Sequence, residues 1–253
     1  MDQTQELKLA VLIDADNVPY ANVKGMLEEI AKYGTPTFKR IYGDFTKPTL
    51  SGWKTVLLEN AITPIQQYNY TSGKNSTDSA LIIDAMDILY TGNVDGFCIV
   101  SSDSDFTRLA TRLREAGKKV FGMGEKKTPL PFIASCNKFI YIEILQQQAK
   151  EETTVTPVPN TAKRKSKKAV AVPTPDKRMV KLVSDSINDL AEEDGWVFLG
   201  LLGNLILKKQ PDFDPRNYGH KKLLDLVKSI PTIAIEERHS GKNNISHFYV
   251  KTK

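Results

Sequence analysis

The amino-acid sequence predicts an α/β protein, a parallel sheet flanked by helices, with a small winged helix-turn-helix unit behind it. Three observations carry that prediction. Short apolar runs alternate with segments of helical periodicity from Leu7 to Leu145, and parallel strands joined this closely need crossover helices between them. Apolar periodicity is then lost over residues 147–176, a stretch rich in Thr, Pro and Lys. Beyond it the chain reads as three helices and a closing pair of strands. The expected domains are 1–146, a flexible basic linker over 147–176, and 177–253.

The first domain opens on LKLAVLI (Leu7 to Ile13), a buried-strand pattern that breaks into Asp14, Ala15, Asp16 and Asn17 before Pro19. Tyr20 to Tyr33 places Val23, Leu27 and Ile30 on one helical face and stops at Gly34. Thr37 to Tyr42 is the next strand, Leu50 to Ala61 a helix, and Ile62 to Tyr68 a third strand. After a polar loop, Ser76 and Thr77 offer caps to a helix over Asp78 to Tyr90, apolar nearly all round and therefore expected to be largely buried. Asp95 to Ser101 is a strand whose apolar run turns abruptly into Ser102, Asp103, Ser104 and Asp105. A helix from Ser104 to Ala116, a strand over Lys118 to Met123, a short helix over Pro131 to Cys136 and a last strand over Phe139 to Leu145 complete the domain.

In the second domain the helices fall at Lys177 to Glu192, Leu201 to Lys208 and Tyr218 to Ile230, with a short β-like piece at Trp196 to Leu199. Strands over Thr232 to Glu237 and Ile245 to Lys251 close it, with Gly241 to Asn244 as the tip of the wing.

Composition narrows the class of function. With 40% hydrophobic and 26% charged residues, the chain can bury a core, which excludes a fibrous or wholly disordered protein. A net charge of +5 favours anionic partners, and the run KRKSKK (Lys163 to Lys168) adds non-specific attraction for phosphate to what is otherwise a solvated linker. Cys98 and Cys136 are the only cysteines, so neither a disulfide framework nor a Cys-rich zinc site is expected, and a cytoplasmic setting is. The start MDQTQELKLA lacks a basic leader, and no apolar run is long enough to span a bilayer; no membrane association is expected.

The chemistry lies in the acids. In an open α/β sheet, ligands collect at the carboxyl ends of the strands, where Asp14, Asp16, Asp103 and Asp105 fall, with Asp78 at a helix start. Carboxylates from separate segments converge when a cation offsets their repulsion, and hard oxygen ligands suit Mg²⁺ or Mn²⁺. All three histidines, His220, His239 and His247, lie in the second domain, which argues against a His-pair mechanism in the first. Each acid also has a plainer reading: Asp16, Asn17 and Pro19 can form a turn, and Asp103 or Ser104 can cap the following helix. Asp84 is either an acid supporting the site or an internal polar residue, and Asp87 belongs on the solvent side. Lys74, unless it is simply an exposed loop lysine, could hold a phosphate, Ser101 and Ser102 could donate to phosphate, and Asn17 could coordinate through its carbonyl or hydrogen-bond a water-binding carboxylate.

VLIDADN (Val11 to Asn17), KNSTDSALIIDAM (Lys74 to Met86) and IVSSDSDF (Ile99 to Phe106) together resemble the NYN domain of the LabA-like, PIN-related nucleases. The resemblance implies a Rossmann-like, PIN-like sheet and Mg²⁺- or Mn²⁺-dependent RNA cleavage, with Asp14, Asp78, Asp103 and Asp105 as the metal-binding, catalytic acids. WVFLGLLGNLI (Trp196 to Ile206) and PDFDPRNYGHKKLLDLV (Pro211 to Val227) resemble the OST-HTH, or LOTUS, winged helix, with Phe213, Tyr218, Gly219 and Leu223 matching well. That likeness implies RNA binding and a possible protein partner, with Lys221, Lys222 and Lys242 as candidate RNA contacts.

The expected function is thus metal-dependent endoribonuclease activity with a C-terminal RNA-binding module. The rival is a non-catalytic RNA-binding adaptor that keeps the fold. A phospho-acceptor domain, which also places acids at strand ends, is a third class.

Overall fold

Three strands of the first unit, Lys8–Asp14, Gly96–Val100 and Lys119–Gly124, are buried along most of their length, so the helices between the strands must cover both faces. The protein is described from a computed structural model over residues 6–68, 76–146, 176–240 and 245–253, so the loop holding Lys74, the linker and the wing tip with Lys242 lie outside the described residues. The chain divides into two compact units, Met1–Val155 and Thr156–Lys253.

The strands of the first unit are β1 (Lys8–Asp14), β2 (Thr35–Gly43), β3 (Thr63–Gln66), β4 (Gly96–Val100), β5 (Lys119–Gly124) and β6 (Lys138–Tyr141). They form one sheet in the order β3-β2-β1-β4-β5-β6, parallel throughout. The helices are α1 (Val23–Ile30), α2 (Trp53–Glu59), α3 (Ser76–Thr91), α4 (Thr107–Glu115) and α5 (Leu130–Ser135).

β1 is central and its period of two feeds both cores. Leu9, Val11 and Ile13 pack with Val23, Met26 and Ile30 of α1 and Trp53 of α2. Ala10 and Leu12 pack on the other side with Leu81 and Ala85 of α3, Leu109 and Leu113 of α4 and Phe132 of α5. The strand order reverses between β1 and β4, and such a switch point opens a crevice at the carboxyl ends.

Two expectations about this unit need correcting. β6 ends at Tyr141 and residues 142–146 are helical, so the final strand is shorter than the apolar run suggests. An apolar run of that length reads equally well as strand or buried helix. α3 is not buried all round: Ile83 is 63% and Tyr90 70% exposed, because the helix lies on one face of the sheet and turns Leu81, Ala85, Ile88 and Leu89 inward, with Ile82 and Met86 partly buried beside them. Asp87 is exposed as expected.

The second unit contains α6 (Lys177–Leu190), β7 (Val197–Phe198), α7 (Leu199–Lys209), α8 (Leu223–Lys228), β8 (Ile233–Ser240) and β9 (Ile245–Thr252). Its antiparallel sheet has the order β7-β9-β8 and packs with the helices around Met179, Val183, Leu202, Ile206, Leu226 and Val250. The expected helix over Tyr218 to Ile230 is broken. Pro215–Tyr218 is a 3-10 turn capped by Asp214, Gly219 follows at φ 80°, and α8 starts only at Leu223. Lys221 and Lys222 are therefore exposed residues ahead of α8, not members of its face. Among the described residues, no helix is long and apolar enough to cross a membrane.

Candidate metal centre

The site forms because two strands deliver polar residues to the crevice from opposite sides of the switch point. β1 is buried to its last residue, so Asp14 emerges only 1% exposed. Burial raises the pKa of its carboxyl, while hydrogen bonds from Asn17, Ser101 and Asp16 pull it back toward the ionised form. Those bonds are Asn17 Nδ2 to Asp14 Oδ2 at 2.6 Å, Ser101 Oγ to Asp14 Oδ2 at 2.8 Å and Asp16 N to Asp14 Oδ1 at 3.1 Å.

Ser101 joins the two strand ends. Its hydroxyl donates to Asp14 and accepts from the Asp103 backbone N–H at 3.1 Å, so the turn after β4 is registered directly against β1. Gly124, at the end of β5, lies against the same turn; a Cβ there would come within 2.5 Å of the Ser101 carbonyl oxygen, leaving no room for a side chain. Beyond Ser101, Asp103 Oδ1 accepts from Asp105 N at 2.9 Å and caps the 3-10 turn Ser104–Phe106. Asp103 is thus a cap and a member of the acidic cluster at once.

The third contributor is α3. Asp78 sits in its first turn, where the helix dipole favours negative charge. One carboxylate oxygen from each of Asp78, Asp103 and Asp105 lies within 4.8 Å of the others. Asp14 stands outside that trio but acts on it. Desolvation and then repulsion from Asp14, Asp103, Asp105 and Asp16 push the Asp78 carboxyl up to about 6. Three oxygen ligands that repel one another at neutral pH match the needs of a hard divalent cation.

The remaining candidates fall in different places. Asn17 holds Asp14 and is partly exposed. Ser101 is fully buried and Ser102 is 7% exposed, its oxygen accepting from Glu125 N at 2.9 Å. Ser101 thus braces Asp14 from a fully buried position. Asp16 is at the rim, 3.6 Å from Lys47. Asp84 is not aimed at the cluster: it bonds to the Arg40 guanidinium and the Tyr42 hydroxyl, pinning α3 to β2. Burial and the Asp84 carboxylate raise the Tyr42 pKa, so that hydroxyl stays protonated as the donor.

Two groups escaped the sequence reading. Asp44 follows β2 as Asp14 follows β1, so the same signal of an apolar strand ending in an acid was there. It is 8% exposed and accepts from Thr46 Oγ1 at 2.5 Å and Gln66 Nε2 at 2.9 Å, which ties down the β2 and β3 ends. Lys47 had no such signal, since a loop lysine gains meaning only from standing beside Asp16.

Residues 8–143 match the family model of the NYN domain. The chain belongs to the NYN domain family. Residues 172–245 match the OST-HTH/LOTUS domain, so the order of the two is NYN then LOTUS. The four acids, Asp14, Asp78, Asp103 and Asp105, all fall inside the NYN match. No curated protein matches the chain.

Solved structures similar to the chain include two from bacteria. The crystal structure of a protein of unknown function from Vibrio parahaemolyticus is 21% identical, covers 56% of this chain and 96% of its own, and has a TM-score of 0.47. The solution NMR structure of an uncharacterized protein from Nitrosomonas europaea is 33% identical, with 38% of this chain and 92% of its own covered at a TM-score of 0.30.

Proposed function

We propose that this NYN protein is a metal-dependent endoribonuclease whose LOTUS domain holds the RNA. The observation that carries the reading is the convergence of Asp78, Asp103 and Asp105 within 4.8 Å at the switch point of the sheet. Their all-oxygen donor set fits Mg²⁺ or Mn²⁺, and these three residues would hold the ion. Such an ion supplies an activated water and offsets negative charge on a phosphodiester.

The chain's own groups prepare that chemistry. Asp14, buried and fixed by Asn17 and Ser101, holds the β1 end of the site in one position and adds negative potential behind the trio. The Ser101 bridge keeps the Asp103 turn from drifting away from β1. Lys47, released from Asp16 by an incoming phosphate, is placed to neutralise it at the rim. Asn17 and Ser102 stand beside the acids, and Lys74, Lys221, Lys222 and Lys242 remain candidate RNA contacts. Two unpaired, buried thiols, Cys98 and Cys136, suit a reducing cytoplasm.

The test uses labelled single-stranded and hairpin RNA with purified protein, with and without EDTA, alongside Asp103→Asn. Cleavage that needs Mg²⁺ or Mn²⁺ and disappears in the variant supports the reading. RNA binding with no products under any metal condition sinks it in favour of an adaptor, and cleavage persisting in Asp103→Asn sinks the site assignment.

A further inference from the structure

The LOTUS unit carries a surface that the helix-turn-helix reading does not use. Its sheet has two faces, and register separates them. Val250 of β9 is fully buried and pairs with Ile235 of β8 and Val197 of β7, which defines the core side. The next positions, Tyr249, Phe198 and Glu236, alternate to the outer side, together with His247 and Arg238.

On that outer side the rings form a contiguous group. Phe198 lies 5.8 Å from Tyr249 and 5.7 Å from His247, centroid to centroid. The Arg238 guanidinium sits 4.3 Å above the Tyr249 ring and 5.6 Å from Trp196. Glu236 grips Arg238 through Nε at 2.9 Å, which holds the guanidinium plane in place over the ring. Trp196, Phe198, His247 and Tyr249 all keep partial exposure. Cross-strand aromatic pairs do stabilise small sheets, yet stability alone needs neither a fixed guanidinium plane nor an indole at the edge.

Charge favours a polyanion as the occupant. Arg238 is matched by Glu236 and, at 4.0 Å, by Asp194, but Lys251 and Lys253 donate to backbone carbonyls, of Asp194 at 2.8 Å and Pro231 at 2.7 Å, and neither is in an ion pair among the described residues. Both lie on or directly after β9. Flat π surfaces flanked by uncancelled ammonium groups suit stacked bases with phosphates alongside. The alternative route, a recognition helix in a groove, is weak here because α8 has only six residues.

We propose that the outer face of the LOTUS sheet is a binding platform for single-stranded RNA, with bases stacking on Trp196, Tyr249, Phe198 and the Arg238 plane, and with Lys251 and Lys253 on the backbone. The proposal rests on the RNA reading above and deepens it.

The experiment measures anisotropy of a labelled uridine oligomer of about 12 nucleotides, and of an RNA duplex, against the full chain in EDTA. Tyr249→Leu weakens the oligomer about tenfold while Tyr249→Phe binds as wild type. Intrinsic fluorescence is the second readout, and its quench in the wild-type chain does not depend on how a variant folds. The oligomer quenches wild-type emission and not that of Trp196→Phe, since the other tryptophan, Trp53, is 1% exposed.

Oligomer binding without quenching, full affinity in a folded Tyr249→Leu, or preference for duplex overturns the platform while leaving the RNA reading in place. If neither RNA binds the full chain, both fall. A face that serves a protein partner instead gives no quench and also counts against the proposal.

Discussion

The carboxyl edge of the NYN sheet and the outer face of the LOTUS sheet both gather functional groups, and they do so by opposite means. At the NYN edge, Asp14, Asp78 and Asp103 come from three elements far apart in sequence, and the innermost of them is 1% exposed. On the LOTUS face, Phe198, Tyr249, His247 and Arg238 are neighbours by strand register alone and remain half-open to solvent. Convergence from distant elements fixes charges in a repelling arrangement that a loop could not hold. Register of a small sheet arranges flat surfaces that tolerate many bases. The difference fits a division between chemistry and capture.

The largest expected effect separates those two roles. Asp78→Asn lowers RNA cleavage by about a thousandfold, whereas RNA affinity measured in EDTA changes less than about twofold. Equal losses in both would join the two surfaces into one site and end the comparison.

The NYN edge also depends on a brace away from the acids. Asp84 ties α3, and with it Asp78, to Arg40 and Tyr42 of β2. Asp84→Ala leaves a guanidinium and a phenol without their acceptor and costs about 2 kcal/mol of unfolding free energy. Calorimetry should show the transition of the NYN unit falling while that of the LOTUS unit stays put. A shift confined to the LOTUS transition would remove Asp84 from this role.

These elements differ in how far the sequence disclosed them. An apolar run that stops at Asp14, or at Asp103, announces a strand end by itself, because burial and charge change at one residue. Ser101 looked like a phosphate donor, being a hydroxyl among acids; only the closeness of β1 and β4 turns it toward Asp14. Asp84 was ambiguous since its partners lie more than forty residues earlier, at positions where Arg40 and Tyr42 read as ordinary strand residues. The broken helix around Gly219 was masked by apolar residues at helical spacing after it, although Gly at that position carries its own signal for a left-handed turn. Tyr249 and Phe198 alternate with core residues, but their adjacency needs the β7–β9 pairing, which spans the whole LOTUS unit.

Protonation offers a milder perturbation of the NYN edge. The metal-free Asp78 carboxyl is pushed up to about 6, so it takes up a proton as pH falls through that value and ceases to be a good ligand. Mn²⁺ affinity, followed by isothermal titration calorimetry, should therefore drop by about tenfold per pH unit below that point. The RNA affinity of the LOTUS platform in EDTA should not follow the same curve. Metal affinity that stays flat down to pH 5 would exclude Asp78 as a ligand.

The smallest effect is on stability, and its sign is opposite to the loss of activity. The Asp78 pKa is raised from 3.8 to about 6 on folding, so the native state binds more protons than the unfolded chain between those values. Stability contributed by this group is present at low pH and is lost as pH rises toward 6; above that the ionised carboxylate is a constant penalty. Asn carries no such charge. Asp78→Asn should therefore raise the metal-free stability at pH 7 by about 1 kcal/mol once solvent screening is allowed for, and the gain should vanish near pH 4. Urea denaturation of the NYN transition at the two pH values measures it. A gain at pH 4 equal to that at pH 7 would mean that packing, and not repulsion among Asp14, Asp78, Asp103 and Asp105, sets the energy of the site.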